Sequence, residues 1–235
     1  MTTADHVRPL APTAGPVPRV ALVDDSPFIR DGARLLQPEV DVVASYPSVE
    51  ELLAARPDVD VVLLDLRLHP GPGVSAQGAR GVREVAATGA KVLVYTEDRR
   101  RMVLAGCLAA GASGVAHKSD PVEWVVDAVR TVARGGVSVT PAVAGVLELA
   151  ARRGALAPVT GRKLQVLRAR ARGESFKGIG SRLHIAPSTA EDYMAEVTRL
   201  FADYLREHSP ADLERHLGVG EGDVLDPDES PRRRR

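Results

Sequence analysis

Short runs of apolar residues alternate with amphipathic stretches over the first 136 residues of the chain. Each run has the length of a β-strand, and the five runs cover residues 19–23, 40–44, 60–65, 91–96 and 114–117. The third and fourth runs are almost continuously apolar, which is typical of strands buried on both faces of a sheet. Five strand–helix units of this kind predict an α/β domain with a doubly wound five-stranded parallel sheet and helices on both faces.

Polar residues indicate where the intervening helices begin and end. Three pairs place a capping side chain before a proline at the first helical position, and they are Ser26-Pro27, Asp120-Pro121 and Thr140-Pro141. Ser48 and Glu51 have the spacing of a capping box, and Gly135 with Gly136 ends the helix that begins near residue 120. These signals predict a helix after each strand and a further helix from Pro141.

No strand pattern remains after residue 158, and several short helices are predicted over residues 158–217. Ser188 and Glu191 have the spacing of a capping box at the start of one of them. We therefore predict five segments: a disordered leader over 1–18, the α/β domain over 19–136, a linker helix over 137–157, a small all-α domain over 158–217 and a disordered charged tail over 218–235.

Composition excludes several classes of protein. The chain is 44% hydrophobic, and no apolar run approaches the roughly 18 residues of a membrane span, so we expect a cytoplasmic protein. Only 3% of its residues are aromatic, which argues against a stacking platform for single-stranded nucleic acid. The single cysteine, Cys107, is expected to be a small core residue, and Trp124 is expected to be buried.

The net charge of zero conceals two blocks of opposite sign. Residues 152–182 carry a net charge of +8, residues 191–229 carry −9, and the last four residues, Arg232 to Arg235, add +4. A basic block indicates contact with an anionic partner such as nucleic acid, and the acidic block would oppose that contact.

Five polar side chains follow predicted strands at the points where the strands end. They are Asp24, Asp25, Asp65, Thr96 and Lys118. Because parallel strands end at one edge of a doubly wound sheet, we expect these side chains to converge there. Grouped carboxylates need a cation, and oxygen ligands suit Mg²⁺. A lysine and a hydroxyl beside an acidic nucleophile can hold a phosphoryl group, so the set predicts phosphoryl transfer to an aspartate.

The α/β part resembles the receiver domain of response regulators over about residues 18–136. The motifs that carry the resemblance are VALVDDSPFIRDG, VVLLDLRL, VYTE and GASGVAHKSD. The resemblance implies a flavodoxin-like fold and phosphorylation of Asp65 by a histidine kinase. It implies Mg²⁺ ligands, and these are Asp24, Asp25, Asp65 and the backbone carbonyl of Arg67. It also assigns Thr96 and Lys118 to the phosphoryl group.

The chain departs from the receiver pattern at several positions near the predicted site. His69 stands where the family usually has proline, Glu97 where it has a small residue, and Val115 where it has an aromatic residue. The aromatic residue normally couples to the threonine, so its replacement predicts an altered switch. These departures leave open a receiver that works without phosphorylation.

Residues 158–202 resemble the helix-turn-helix domain of LuxR/NarL-type regulators. The matching stretch is VTGRKLQVLRARARGESFKGIGSRLHIAPSTAEDYMAEVTRLF. The residues that the resemblance places at DNA are Lys177, Arg182, Ser188, Thr189, Glu191, Asp192 and Tyr193. The recognition helix of this family usually carries basic and amide side chains, and carboxylates facing phosphate are unfavourable. A helix cap and a solvated helix face are therefore the alternative interpretation of Glu191 and Asp192.

Three functions fit these patterns, and in none of them is the chain an independent enzyme. The first is a two-component response regulator, phosphorylated on Asp65, that regulates transcription as a homodimer on double-stranded promoter DNA. The second also binds DNA, but its receiver dimerises constitutively without phosphorylation. The third is a protein-interaction regulator whose all-α domain does not read DNA and whose acidic block docks a basic partner. We expect the first.

Overall fold

A computed structural model describes residues 16–69, 76–156, 159 and 161–208. Its centre is a five-stranded parallel sheet in the order β2-β1-β3-β4-β5. The strands are β1 Arg19–Val23, β2 Asp41–Tyr46, β3 Val61–Leu64, β4 Lys91–Thr96 and β5 Ala112–His117. Each strand overlaps the apolar run that predicted it, and the α/β fold class is confirmed.

Helices cover both faces of the sheet. One face holds α1 Pro27–Gly32, a 3-10 helix Ala33–Leu36 and α5 Val122–Ala133. The other face holds α2 Val49–Ala55, α3 Gly78–Ala86 and α4 Arg101–Ala109. Successive strand residues point to opposite faces, so Leu22 and Leu63 pack with α5, whereas Val23 and Leu64 pack with the three helices opposite.

In the described residues, four further helices follow the sheet, and they are α6 Pro141–Arg152, α7 Gly161–Ala171, α8 Phe176–Leu183 and α9 Pro187–Glu207. Their buried residues form one continuous core with α4, and α9 packs against α4, α7 and α8. Within the described ranges, no helix is long and apolar enough to cross a membrane. The predicted leader up to residue 15 and the predicted tail lie outside the described residues.

Two predicted helix caps are confirmed. The Ser48 hydroxyl accepts a hydrogen bond from the Glu51 amide at 3.2 Å, and the Thr140 hydroxyl accepts one from the Val143 amide at 3.3 Å. Gly135 has a φ of 84° just after α5, which is the left-handed backbone that glycine adopts without strain. These residues set the helix ends as predicted.

Two other predicted caps are wrong. α5 begins at Val122, because the Asp120 carboxylate turns back to accept a hydrogen bond from the His117 amide at 2.8 Å. α9 begins at Pro187, whose fixed φ suits the first helical position. Ser188 and Glu191 therefore lie inside the helix, and no side-chain cap bond forms at its start.

Gly114 of β5 joins the sheet to the segment that precedes α6. The Val115 amide donates a hydrogen bond to the Ser138 carbonyl at 2.7 Å, and the Ser138 amide donates one to the Ser113 carbonyl at 3.2 Å. A Cβ atom on Gly114 would lie 2.3 Å from the Ser138 carbonyl oxygen, so only glycine permits this approach. The junction fixes the start of α6 beside the edge of the sheet.

Candidate functional site

Three carboxylates meet at the edge of the sheet where the strands end. Asp24 follows β1 and Asp65 follows β3, and these two strands are neighbours. The Asp65 amide donates a hydrogen bond to the Val23 carbonyl at 2.9 Å, which continues the ladder to the point where both side chains emerge. Asp25 completes the group, because one oxygen from each of the three residues lies within 4.8 Å of the others.

Lys118 balances two of these carboxylates. Its Nζ lies 2.6 Å from Asp24 Oδ2 and 2.7 Å from Asp65 Oδ2. Its amide donates a hydrogen bond to the Thr96 carbonyl at 3.0 Å, which fixes the chain after β5 against the end of β4. Burial works to lower the pKa of the Lys118 ammonium group, but the hydrogen bonds to Asp24 and Asp65 outweigh it and raise the pKa. Lys118 therefore stays charged inside the site.

Asp24 is the most buried of the three carboxylates. Burial raises the pKa of its carboxyl group above the ordinary value, and the neighbouring Asp65 charge adds to the effect. Hydrogen bonds from Lys118 and from the Ser26 amide, the latter at 2.9 Å, oppose the rise without cancelling it. Any further cation that enters the site would therefore stabilise the charged form of Asp24.

Asp25 has a partner that the sequence did not predict. His69 Nδ1 contacts Asp25 Oδ2, and the His69 amide donates to the same oxygen at 3.3 Å. Burial works to raise the pKa of Asp25, but these bonds from His69 outweigh it and hold the pKa below its ordinary value. The only sequence signal for this contact was the replacement of proline by His69, because nothing in the spacing of the two residues relates them.

Thr96 ends β4 and is fully buried. Its hydroxyl accepts a hydrogen bond from the Asp98 amide at 3.2 Å, so the hydroxyl proton can be donated elsewhere. Asp98 is itself buried, and its Oδ2 lies 2.5 Å from Arg100 Nη2 and 3.7 Å from Arg67 Nη2. Sequence analysis missed Asp98, whose only signal was an acid two residues after Thr96. Glu97, by contrast, is exposed, and solvent screens its charge.

The donor set fits a divalent cation and a phosphoryl group. The grouped acidic side chains offer only oxygen atoms, which are the ligands of hard cations such as Mg²⁺. Three carboxylates outnumber the single ammonium group of Lys118, so the site gains from a further positive charge. The role of the Arg67 carbonyl as a ligand stays a prediction.

The residues predicted to contact DNA lie on α8 and on the first turns of α9. Lys177 of α8 is exposed. Arg182 is exposed as well, but its guanidinium donates to both carboxylate oxygens of Glu174, at 3.1 and 2.9 Å. Ser188 and Asp192 are exposed and lie one helical turn apart on the same side of α9.

The remaining predicted DNA contacts are partly covered by the protein itself. Thr189, Glu191 and Tyr193 are half-buried, and Tyr193 packs against the core. Burial raises the pKa of Glu191, with the charges of Asp192 and Asp127 adding to the rise and Arg134 opposing it. The start of α9 therefore lies near α5, and the structure does not bring all seven predicted residues onto one exposed surface.

Similarity to known proteins extends over most of the chain. It is 33% identical over 183 residues to the transcriptional regulatory protein UhpA of Salmonella typhimurium, an alignment that covers 76% of this chain and 88% of UhpA. It is 31% identical over 190 residues to the response regulator RamR of Streptomyces coelicolor, with 79% of this chain and 90% of RamR covered. This chain belongs to the NarL/UhpA type of response regulators.

A solved structure shares the fold of this response regulator. The two-component response regulator RcsB in complex with DNA aligns with a TM-score of 0.51 and 20% identity, over 83% of this chain and all of that chain. No protein-family model matches the chain. The predicted combination of a receiver-type sheet and a small helical domain is confirmed.

The basic block of this response regulator is largely paired within the protein. Among the residues that the structure describes, three of its cations form ion pairs with acidic residues, and the pairs are Lys163–Glu196, Arg168–Glu148 and Arg182–Glu174. Two others donate to backbone carbonyl groups, Arg162 to Leu183 and Arg170 to Glu174. The net charge of +8 therefore overstates the positive charge that this segment offers to a phosphate backbone.

The receiver carries exposed apolar side chains on the face of α1 and α5. Phe28 is 84% exposed, Leu35 is 73% exposed and Trp124 is 65% exposed. The expectation that Trp124 is buried is wrong, because the buried stripe of α5 begins only at Val125. Cys107 is fully buried, as expected. Large apolar side chains that stay exposed are candidates for an interaction surface.

Replacing Asp24 by asparagine is expected to stabilise the protein when no divalent cation is present. The substitution removes one of three crowded charges, while Lys118 keeps its pair with Asp65, so the thermal midpoint should rise by about 2–4 °C, equivalent to about 1 kcal/mol. The folded wild type holds a proton on Asp24 at pH values where the unfolded chain has lost it. Wild-type stability therefore falls as pH rises through that interval, and the gain from Asp24→Asn grows.

Thermal unfolding between about pH 4 and about pH 8, with and without MgCl₂, measures this effect. Mg²⁺ should raise the midpoint of the wild type and leave that of Asp24→Asn unchanged. Asp58→Asn is the control, because Asp58 is an exposed partner of Arg19 at the opposite end of the sheet. A lower midpoint for Asp24→Asn than for wild type at neutral pH contradicts the prediction.

Proposed function

We propose that this chain is a two-component response regulator that accepts a phosphoryl group on Asp65 from a histidine kinase and regulates transcription by binding promoter DNA. The observation that carries the proposal is the contact of Lys118 Nζ with both Asp24 and Asp65. This contact supports the proposal, because the carboxylate that would act as the nucleophile lies beside a nearly buried cation, at the end of the strand that neighbours the strand ending at Thr96. The proposal assigns the receiver to residues 19–136 and the DNA-binding domain to residues 158–217.

The chemistry needs little beyond positioning and charge. A bond forms between an Asp65 carboxylate oxygen and phosphorus, while the bond from phosphorus to the kinase's histidine nitrogen breaks. Lys118 can exchange its contact with Asp65 Oδ2 for one with a phosphoryl oxygen, and Thr96 can donate its hydroxyl proton to another. Mg²⁺ would neutralise charge there, and its proposed ligands are Asp24, Asp25, Asp65 and the Arg67 carbonyl.

Asp65→Asn should abolish acid-labile phosphate on the protein, because an amide cannot form the acyl phosphate. Labelling is measured with a radiolabelled histidine kinase or a small acyl phosphate in the presence of Mg²⁺, and it should fall to background. Asp58→Asn should label like the wild type. Label that survives on Asp65→Asn would assign the phosphorylation to another residue. Equal DNA affinity before and after labelling would instead favour the phosphorylation-independent regulator.

The proposed DNA contacts lie on the exposed side of α8 and α9. Lys177 is exposed and suits a backbone phosphate, which positions a protein without reading sequence. Asp192 can only accept hydrogen bonds, and the amino group of cytosine is the donor that a carboxylate reads in the major groove. Arg199, two turns further along the same side of α9, is exposed and adds a positive charge.

A protein-interaction function is the second candidate, and the pairing of the basic block favours it. Lys163 and Arg168 are held by acidic partners, so phosphate contacts there must first break an ion pair. In that case α9 would present Asp192 to a basic protein surface. Selective binding to DNA separates the two candidates.

Selection of host genomic fragments by the purified protein at about 0.15 M salt is the test. We expect recovery of a shared site with two inverted half-sites about 10 base pairs apart. Lys177→Ala should weaken binding to all recovered fragments alike, and Asp192→Asn should change the preferred base at one position of each half-site. Asp203→Asn is the control, because Asp203 pairs with Arg206 near the far end of α9. Fragments that share no site and dissociate on a modest rise in salt would support the protein-interaction function.

The exposed apolar residues on α1 and α5 are the proposed homodimer surface. Phe28, Leu35 and Trp124 belong to elements that cover the same face of the sheet, and Val122 of α5 is 41% exposed. A second copy offers the same residues through a two-fold axis, so a single patch suffices for a closed dimer. Tryptophan commonly contributes a large share of the binding energy in such an interface.

Trp124→Glu should weaken dimerisation by at least about tenfold, because a charge would be placed in the desolvated centre of the interface. Sedimentation velocity over a range of protein concentrations, with Mg²⁺ and beryllofluoride present, measures the dissociation constant. Val17→Glu is the matched control, because Val17 is also exposed but precedes β1 at the opposite end of the sheet. Equal dimerisation of Trp124→Glu and wild type would place the interface elsewhere.

A further inference from the structure

Asp98 anchors the start of α4. Its side chain is 2% exposed, and the Arg100 guanidinium donates to both of its carboxylate oxygens at 2.5 to 3.1 Å. The Arg100 amide, immediately before α4, donates to Asp98 Oδ1 at 2.8 Å. Burial works to raise the pKa of Asp98, but these bonds from Arg100 outweigh it and hold the pKa below its ordinary value. Asp98 is therefore a charged group that fixes the backbone where α4 begins.

The same residue is connected to the phosphorylation site by two routes. Arg67, two residues after Asp65, places its Nη2 3.7 Å from Asp98 Oδ2. The Asp98 amide donates to the Thr96 hydroxyl at 3.2 Å. Both partners are expected to respond to a phosphoryl group. Arg67 is a partly exposed cation only two residues after Asp65 in the chain, and Thr96 would turn its hydroxyl towards a phosphoryl oxygen.

α4 connects Asp98 to α9, which carries part of the proposed DNA contacts. It packs against α9 along the core, and Arg206 of α9 donates a hydrogen bond to the Ala109 carbonyl at the end of α4, at 3.3 Å. Val115, where receivers usually have a switch aromatic, is an aliphatic side chain that is 2% exposed. In the described part of the receiver, Asp98 provides a connection from Thr96 to α4. Position 115 has no aromatic side chain that could provide one.

We propose that Asp98 couples the charge on Asp65 to the position of α4 and, through α4, to α9. The proposal rests on phosphorylation of Asp65. Phosphorylation converts the Asp65 carboxylate, which carries one negative charge, into an acyl phosphate that carries close to two, and its phosphoryl oxygens attract the Arg67 guanidinium and the Thr96 hydroxyl. Asp98 then loses its contact with Arg67, and its amide loses the Thr96 acceptor. The start of α4 keeps the Asp98–Arg100 pair but loses these two connections to the ends of β3 and β4. Asp98 is a positioning residue, since it acts through α4 and does not touch the phosphoryl group.

Cys107 is a built-in probe of this movement. It is the only cysteine of the chain, it lies on α4, and it is fully buried. Burial, with the Asp98 charge adding to it, raises the pKa of its thiol to about 12, so the thiol is unreactive while the packing around α4 is intact. The rate of reaction with a fluorescent maleimide therefore reports how firmly α4 is packed, with no need for a known DNA site.

The experiment compares maleimide labelling of Cys107 with and without Mg²⁺ and beryllofluoride, which mimics a phosphoryl group on Asp65. In the wild type the rate should rise by about tenfold. In Asp98→Asn the rate should be high from the start and change less than about twofold, because the anchor is already weakened. Arg67→Gln leaves the Asp98–Arg100 contact intact, and its response should also be smaller than that of the wild type. Asp58→Asn should respond like the wild type.

Fluorine NMR of bound beryllofluoride separates the possible failures. A bound signal in both the wild type and Asp98→Asn, with equal labelling responses, overturns the coupling and leaves the phosphorylation site intact. A bound signal with no labelling response in the wild type also overturns the coupling. A wild type without any bound signal overturns phosphorylation of Asp65 and the coupling together.

Discussion

The ammonium group of Lys118, held between Asp24 and Asp65, is the interaction on which the rest of the site depends. Removing Lys118 would leave two buried carboxylates without a cation, and breaking a buried ion pair in this way typically costs about 3–5 kcal/mol. The parallel sheet permits the arrangement, since β1, β3 and β5 end at one edge and each delivers one member. Asp25 adds a third carboxylate beyond what Lys118 can balance. The folded chain therefore holds an excess of negative charge that a bound cation relieves.

The ion pairs of the helices after the sheet have the opposite effect, because they neutralise charge instead of leaving an excess of it. Pairs such as Lys163–Glu196 are partly exposed and add little to stability. Their effect is to reduce the positive charge available to phosphate, and fewer phosphate contacts mean lower affinity and a weaker dependence on salt. In the proposed function, selectivity for DNA must then come from the few exposed groups, such as Lys177 and Asp192, and from the spacing of two half-sites in a dimer.

The sequence located the elements whose signal is local, and it missed those that depend on the assembled fold. Continuous apolar runs marked the strands, and the strand ends in turn marked Asp65 and Lys118. The cap at Asp120 was mispredicted because an alternative hydrogen bond, to the His117 amide, competes with capping. Asp98 was invisible because its neighbours are arginines, which suggest an exposed loop. Its contact with Arg67 joins the ends of two different strands, which the spacing of the residues in the sequence does not reveal.

α9 packs into the core and is also proposed to contact DNA. Glu191 is unfavourable for both. Met194 and Phe201 are buried in the core that includes α4, so α9 cannot move away without exposing apolar surface. Glu191 is half-buried near α5, and its raised pKa means that its charge works against this packing at neutral pH. Separation from the receiver would restore water to Glu191, but the carboxylate would then face DNA phosphate. In the proposed function, Glu191 therefore weakens the packed arrangement of α9, where the Arg134 charge partly offsets the cost, and it also weakens an arrangement beside DNA phosphate.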